Sequence, residues 1–422
     1  MSAHFIEELR ARELIAQISH EEELIGLIGN GTRDSSGKLY GVYCGFDPTA
    51  PSLHLGNLAA MMMLVRAQRA GFTPIVLFGG ATGLIGDPTG RTEMRQMHSK
   101  EEIEGFIENF KKLSARYFQW DVENKPIVVN NMDWIGPMSW IDFSRNVGRH
   151  FTIAKLLAAE VNKTRFEQGG LTFMELGYQL LQSYDFFYLF EHYNCILQFG
   201  GNDQWSNVLG GADLIRRIRG EKAFAVTTPL LVGADGKKFG KTAGNAIWLD
   251  PAMTSPFKFF QFFRNVHDLD IKKMLRVFTL LSLEEIDIHI EGKDINKVKE
   301  LMAFEITKWV HGSEEAQKAL ETSQQLFHGN SIDEHLEAAP TTFVKPEEVL
   351  NSSLDILSLL IKCGFSPSRG EARKLIQGNG LTFNGEKFND IHYKILEKDF
   401  NTNINGLILK KGKKEFHIVK LE

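Results

Sequence analysis

Cysteine is scarce. The chain has three, Cys44, Cys195 and Cys363, none near another in sequence. That spacing excludes a disulfide framework and a cysteine-built zinc site, and it suits a reducing compartment. No apolar run reaches the roughly 18 residues a membrane helix needs, so neither a span nor a membrane partner is expected. Residues Met1 to Leu24 carry Glu8, Arg10, Arg12 and Glu13 among their apolar positions. They lack the basic start, continuous apolar stretch and small-residue exit of a signal peptide, and a cytoplasmic location is the expectation. Internal repeats and low-complexity tracts are absent. Neither sign of charge dominates: 48 basic and 53 acidic side chains leave −5.

What remains is an ordinary soluble composition, 43% hydrophobic and 24% charged over 422 residues, enough for two to four domains. Charge is uneven along it. From Asp355 to Glu422 there are 12 basic and 8 acidic residues, a surplus of +4, which leaves −9 on the rest. A basic tail on an acidic body points to an anionic partner at the tail.

Two helices are expected before Gly37, then a strand over Leu39–Phe46 ending at Asp47-Pro48-Thr49. A helix over about Leu55–Ala70 and a strand over Pro74–Phe78 follow, the latter running into Gly79-Gly80. Strand, loop, helix, strand is the opening of a parallel α/β sheet. Ligands of such sheets sit beyond the carboxyl ends of the strands. Cys195–Phe199, followed by Gly200-Gly201, reads as another such strand. From Ser255 to about Val310 the pattern is helical, with Phe257, Phe259, Phe260, Phe262 and Phe263 close enough to form a core. The expected fold class is α/β: a Rossmann-like parallel-sheet catalytic domain over 1–250, an all-α domain over 251–330, a linker over 331–354, and a small α+β RNA-binding domain over 355–422.

Four features could carry chemistry. His54-Leu55-Gly56-Asn57 lies at a helix start, where backbone N–H groups favour an anion and a glycine admits a ligand ring. Gly79 to Arg91 holds glycines at 79, 80, 83, 86 and 90 around Asp87, and reads as a loop pressing bare backbone on a ligand. Gly236 to Thr242 ends in Gly-Lys-Thr but has Asp235 where a P-loop needs glycine. Its Lys238 and Lys241 can neutralise charge growing on a polyphosphate. Tyr178, Gln182 and Asp185, four and three apart, share one helical face.

Together these motifs resemble a class I aminoacyl-tRNA synthetase of the bacterial tyrosyl type. His54–Asn57 is similar to the family's first signature, His-Ile-Gly-His, and Lys238–Thr242 to its second, Lys-Met-Ser-Lys-Ser. Tyr43–Thr49, Gly79–Gly90, Tyr178–Asp185 and Gly200–Trp205 carry the tyrosine character. Asn57 stands for the last His of the first signature, and Gly240 for the Ser of the second. The resemblance implies that tyrosine's carboxylate attacks the α-phosphate of ATP, and that the tyrosyl group then passes to the 3′ end of tRNA(Tyr).

By the same resemblance, Thr49 and His54 meet the departing phosphates, while Arg91, Arg95, Lys238 and Lys241 clamp pyrophosphate. Asp47, Gly56 and Asn57 contact ATP and Asp203 its ribose. Tyr43 and Asp185 bind the phenolic hydroxyl, Tyr178, Gln182 and Asp87 the ammonium, and Gln204 lies near the carboxylate. Arg369, Arg373 and Lys374 face RNA. Mg2+ accompanies the triphosphate, with no metal held by the protein itself. A homodimer is implied, with its interface near 134–170, and the helical region facing the anticodon stem. Two other readings compete: a related synthetase such as the tryptophan enzyme, against which Tyr43 with Asp185 speaks, and a non-catalytic RNA-binding protein on the same fold, which would be expected to lose one of His54, Lys238, Lys241 or Asp185.

Overall fold

The computed structural model describes residues 3–89, 97–167, 170–234, 236, 239–242, 245–291, 294–328, 340–351, 353–400, 406–412 and 415–422. The chain divides into two compact units, Met1–Asp250 with Lys272–Ile288, and Pro251–Ile271 with His289–Glu422.

The first unit is built on a six-stranded sheet of β1 (Gln17–Ile18), β2 (Gly41–Phe46), β3 (Thr73–Phe78), β4 (Ile127–Asn130), β5 (Cys195–Gly201) and β6 (Phe224–Thr228), in the order β1-β6-β5-β2-β3-β4. All neighbours are parallel except β1 with β6. β3 and β4 lie on one side of β2, and β5 and β6 on the other. The order therefore reverses between β2 and β5, and their carboxyl ends open a crevice of the kind that binds ligands in such sheets. β3 is buried at every position, as strands covered on both faces are.

The crossover helix Leu55–Arg69 buries Leu58, Met61, Met62, Met63, Leu64 and Val65, each worth roughly 1.5–3 kcal/mol for a large apolar side chain. A longer helix, Phe173–Tyr193, covers part of the sheet with Phe186 and Leu189 against Tyr43, Ile75 and Leu77. It starts at a Thr172–Glu175 capping box, and Glu175 also pairs at 2.7 Å with buried Arg165. It stops at Asn194, whose φ of 54° no helix can continue.

The helix Ile271–Phe278 falls mostly in the first unit, whereas the sequence places it inside the helical block. The cause is Arg66 of the crossover helix. Its Nη2 donates to the carbonyls of Arg276, Val277 and Thr279 at 2.8, 3.0 and 2.8 Å, satisfying helix-end acceptors that otherwise lack donors.

In the second unit the helix Pro256–Arg264 packs on Ile295–His311 and Ser313–His328. Phe257, Phe259, Phe260 and Phe263 are buried, so the aromatic cluster is core. A five-stranded sheet follows, with the order β11-β10-β12-β13-β9 when the lysine hairpin, Lys241–Thr242 with Asn245–Ala246, is counted as β7 and β8. Its strands are β9 (Thr341–Val344), β10 (Leu381–Phe383), β11 (Glu386–Phe388), β12 (Gly406–Lys411) and β13 (Glu415–Leu421). The stretch expected as linker thus supplies β9, which pairs with β13. Val344, Val349 and Leu354 belong to the same core as Leu360, Ile376 and Leu407, because that sheet needs an edge strand and apolar cover from both sides of residue 355.

Candidate functional site

The crevice between β2 and β5 gathers most of the residues singled out from the sequence. Tyr43 lies in β2, and Asp47-Pro48-Thr49 is the turn leaving it, closed by the Thr49 N–H donating to the Asp47 carbonyl at 2.9 Å. Tyr178, Gln182 and Asp185 come from the long helix, Asp203 and Gln204 from the turn after β5. Asn202 anchors that turn, accepting from Gln17 at 2.7 Å and Thr227 at 3.1 Å.

His54 is the N-cap of the crossover helix. Its Nδ1 accepts from the Asn57 N–H at 3.2 Å, and Asn57 Oδ1 accepts from the His54 N–H at 3.0 Å. An accepting Nδ1 leaves the ring proton on Nε2, so the imidazole is a donor there. Asn57 makes this reciprocal cap, and its side-chain oxygen is what the cap requires. A Cβ on Gly56 would lie 3.0 Å from the His54 ring, so the glycine first makes room for His54 itself.

A buried hydrogen-bonded chain links the two acidic residues. Asn131, fully buried, donates one Nδ2 proton to Asp185 Oδ2 and one to Thr82 Oγ1, both at 3.0 Å, while its Oδ1 accepts from the Ala81 N–H at 2.8 Å. Thr82 donates to Asp47 Oδ1 and Tyr178 to Asp47 Oδ2, each at 2.7 Å. Trp134 Nε1 donates to Asp185 Oδ1 at 2.8 Å. Burial pushes the Asp185 carboxyl up to about 8 and Asp47 adds to that, while the Asn131 and Trp134 donors pull it down. Tyr43 is raised well above its ordinary value by burial and by the charge of Asp185. Its hydroxyl oxygen is buried without a hydrogen-bond partner, as is Gln182 Oε1. Two orphaned polar atoms around a buried carboxylate describe a pocket for a ligand with polar groups of its own.

Asp87 accepts from Thr89 through Oδ1, N–H at 3.0 Å and hydroxyl at 2.6 Å, and from Gln204 Nε2 through Oδ2 at 2.6 Å. Asn207 in turn donates to Gln204 Oε1 at 2.9 Å. Among the RNA-facing candidates, Arg369 bonds Ser358 and Asp355 at 2.7 and 3.0 Å, Lys374 pairs with Glu371 at 3.0 Å, and Arg373 is exposed. Exposed pairs of this kind are worth at most about 1 kcal/mol, so phosphates can displace them. Arg91, Arg95 and Lys238 lie outside the described residues. So does the Lys241 side chain, although its backbone starts β7.

Two expectations change. The first half of Gly79–Arg91 is a short helix, Gly80–Ile85, and its glycines serve the protein's own side chains. A Cβ on Gly79 would stand 2.0 Å from Asp47 Oδ1 and 2.3 Å from Thr82 Oγ1, and one on Gly80 2.3 Å from Asn130 Oδ1. Gly79→Ala must therefore displace Asp47. The expected outcome is a loss of about tenfold or more in kcat/KM, read in a steady-state assay, from one broken charged hydrogen bond. Trp134, expected at a subunit interface, is instead pocket wall: 7% exposed, stacked 4.4 Å from Tyr188 and bonded to Asp185. Tyr178 donates its hydroxyl proton to Asp47, so towards an ammonium its oxygen serves as the acceptor.

Asn131, Thr82 and Gln198 were not singled out. Asn131 was within reach, since an Asn-Asn pair at the carboxyl end of a strand is a polar pair where ligands sit. Gln198 was not. A register irregularity between Gly41 and Val42 pairs Gly41 with Cys195 but Tyr43 with Gln198, which turns Gln198 to the face of Tyr43. It is 2% exposed and its Oε1 has no hydrogen-bond partner.

The chain is similar to known proteins along nearly its whole length. Residues 36–328 match the model of the family described as tRNA synthetases class I (W and Y). Residues 332–419 match that of the tyrosine--tRNA ligase SYY-like C-terminal domain. A tyrosine--tRNA ligase of Clostridium botulinum is 44% identical over 416 residues, 98% of each chain. One of Acetivibrio thermocellus is 44% identical over 424 residues, 100% of each. Among solved structures, a C-terminally truncated mitochondrial tyrosyl-tRNA synthetase of Aspergillus nidulans has a TM-score of 0.68 at 29% identity, covering 76% of this chain and 94% of that one. A tryptophanyl-tRNA synthetase of Aeropyrum pernix, with a TM-score of 0.52 at 16% identity over 76% and 87% of the two chains, shares the fold.

Proposed function

We propose a division of labour among the site residues from one premise: the chain belongs to the class I tRNA synthetases, in the tyrosine branch, and ligates tyrosine to its tRNA with ATP as substrate. The observation that carries the assignment is the buried Asp185 carboxylate close to the unpartnered Tyr43 hydroxyl. A phenolic hydroxyl donates to Asp185 and accepts from Tyr43, and Gln198 closes the same face. Gln182, with Tyr178 and Asp87, receives the ammonium, and Gln204 stands near the carboxylate. Asp47, Gly56, Asn57 and Asp203 take the nucleoside end of ATP.

A tyrosine carboxylate oxygen attacks the α-phosphorus. That P–O bond forms as the bond to the bridging oxygen breaks, and pyrophosphate leaves with the electron pair. The nucleophile is already ionised, so these residues work by positioning and by meeting charge. His54 donates from Nε2 to a phosphoryl oxygen beside Thr49. Lys238, Lys241, Arg91 and Arg95 balance the charge that grows on pyrophosphate. Mg2+ arrives as the counter-ion of the triphosphate. A tRNA 3′-terminal hydroxyl then attacks the adenylate's carbonyl carbon and AMP departs.

The second unit supplies the RNA contacts: the helices Pro256–Arg264, Ile295–His311 and Ser313–His328 for the anticodon stem, and the C-terminal sheet with Arg369, Arg373 and Lys374 for phosphates. The protein acts as a homodimer in the cytoplasm. Trp140, Ile141, Ile153, Phe166 and Phe173, all 59% or more exposed in one chain, support a buried face there. Among the described residues no helix is long and apolar enough to cross a membrane.

Pyrophosphate exchange into ATP tests the pocket, run with tyrosine, phenylalanine and tryptophan from pH 6.5 to 8.5. A hydroxyl donating to Asp185 stabilises its ionised form and lowers a carboxyl that starts near 8. Tyrosine use therefore improves as pH rises towards 8 and then levels off, while phenylalanine, without the donor, stays flat. The tyrosine-to-phenylalanine ratio is expected to grow roughly tenfold across this range. A ratio independent of pH would remove Asp185 as the acceptor, and exchange with tryptophan would remove the pocket assignment. For folding the sign is reversed. The native carboxyl keeps a proton that the unfolded chain releases near 3.8, so this group's contribution is present below that pH and lost as pH rises through about 8.

A further inference from the structure

The helix Ile271–Phe278 is held in the first unit by charged side chains that reach it from elsewhere. Arg66 takes three carbonyls at its C-terminus, Arg12 donates to the Leu281 carbonyl at 2.7 Å, and Glu13 pairs with Arg276 at 2.5 Å. Arg66 is 2% exposed and Arg12 5%, so this clamp is inside the protein. Met274, Leu275 and Phe278 add buried apolar contacts. The helix is thus a fixed base.

From that base Lys273 reaches outward. Its Nζ donates to the Val232 carbonyl at 2.7 Å. Val232 neighbours Leu231, whose carbonyl accepts from the Phe239 N–H at 2.8 Å. Phe239 and Gly240 lie between Lys238 and Lys241 in sequence. On the far side, the Gly240 carbonyl accepts from the Ile247 N–H at 2.9 Å, and the Ile247 carbonyl from the Leu55 N–H at 3.0 Å, beside His54. Gly240 has φ of 84°, and a Cβ there would meet Leu55 Cβ at 3.2 Å, so only glycine fits without adjustment. The dipeptide between the two lysines is therefore pinned on one side to the His54 helix and on the other to the segment that Lys273 holds.

We infer that Lys273 is a positioning residue for the activation step, acting through Val232 and Leu231 to set the backbone of Phe239 and Gly240, the two residues between Lys238 and Lys241 in sequence. It touches no substrate. Its ammonium serves as a donor fixed to a rigid helix, and its half-buried stem keeps water from competing for the Val232 carbonyl. The inference rests on the role proposed above for Lys241, and it adds a residue that no sequence signature contains.

The test is a double-mutant cycle on the full-length enzyme, read by tyrosine-dependent pyrophosphate exchange. Lys273→Met keeps the apolar stem and removes the donor. It is expected to lower kcat on the order of tenfold with the KM for tyrosine within about twofold, the size of one lost hydrogen bond felt in the transition state. Lys273→Arg keeps a donor and is expected to recover most of the rate. In a Lys241→Ala background the same Lys273→Met change should cost less than about twofold, because the group it positions has gone. A factor equal in both backgrounds, or a rise in tyrosine KM without loss of kcat, overturns the proposal. An unchanged kcat in Lys241→Ala alone overturns the role given to Lys241, and the Lys273 proposal falls with it. Melting temperatures within about 2 °C of the parent separate positioning from general loosening.

Discussion

Asp185→Asn is expected to lower kcat/KM for tyrosine by about 10–10² while leaving phenylalanine within a few-fold. Of two physical terms, the first sets that size. A charged hydrogen bond to the substrate hydroxyl is worth about 1.5–3 kcal/mol. The second term is internal: Asp185 accepts from Trp134 through one oxygen and from Asn131 through the other. An asparagine offers one oxygen and one amide, so one of those two N–H groups faces another donor. Leaving a buried donor unsatisfied costs about 1–3 kcal/mol of stability with or without substrate, so it does not separate tyrosine from phenylalanine. Phenylalanine forms neither hydroxyl bond, and its residual exchange reports whether the pocket still folds. Parallel losses for both amino acids would assign Asp185 to the fold, and unchanged tyrosine use would remove it from the site.

The same network explains what could and could not be read from residue order alone. β2, β3, β5 and the crossover helix follow from local pattern: apolar runs, turn residues and the His54 cap. The face shared by Tyr178, Gln182 and Asp185 follows from helical spacing, and they do share one helix. The glycines after β3 misled because glycine density has two causes. Bare backbone against a ligand is one; room for a distant side chain is the other, and Asp47 is more than 30 positions from Gly79 in sequence. Trp134 carries no local mark that distinguishes pocket wall from interface, since its partner Asp185 comes from another element. Gln198 was hidden by the period-two rule itself. Strict alternation puts it on the face opposite Cys195, and one irregularity in register reverses that. The boundary at residue 355 failed for a similar reason: β9 is four residues long and gains its meaning only from pairing with β13.

That boundary decides how the second large effect is measured. Removing residues 329–422 is expected to leave tyrosine-dependent pyrophosphate exchange within about threefold and to reduce tRNA charging on the order of 10² or more at physiological salt. The first half follows from packing. The C-terminal core runs from Val344 to Leu421 and is complete within those residues, so a cut before β9 removes it whole. A cut at residue 355 would instead strip the partners from Val344, Val349 and Leu354 and leave them facing water. The resulting loss of solubility would be mistaken for a catalytic role. The second half follows from charge. The removed segment is neutral overall, its +4 from Asp355 onward offset by −4 over 329–354, and residues 1–328 carry −5, so the remaining protein repels RNA that the basic C-terminal part attracts. Counter-ion release makes that attraction fall steeply with salt. Charging by the intact enzyme should therefore weaken from 50 to 200 mM salt, while charging by the truncated form, already low, changes little. Loss of exchange together with charging would mean that the tail supports the catalytic unit. Full charging without it would move RNA binding to the first unit and the helices Pro256–Arg264, Ile295–His311 and Ser313–His328.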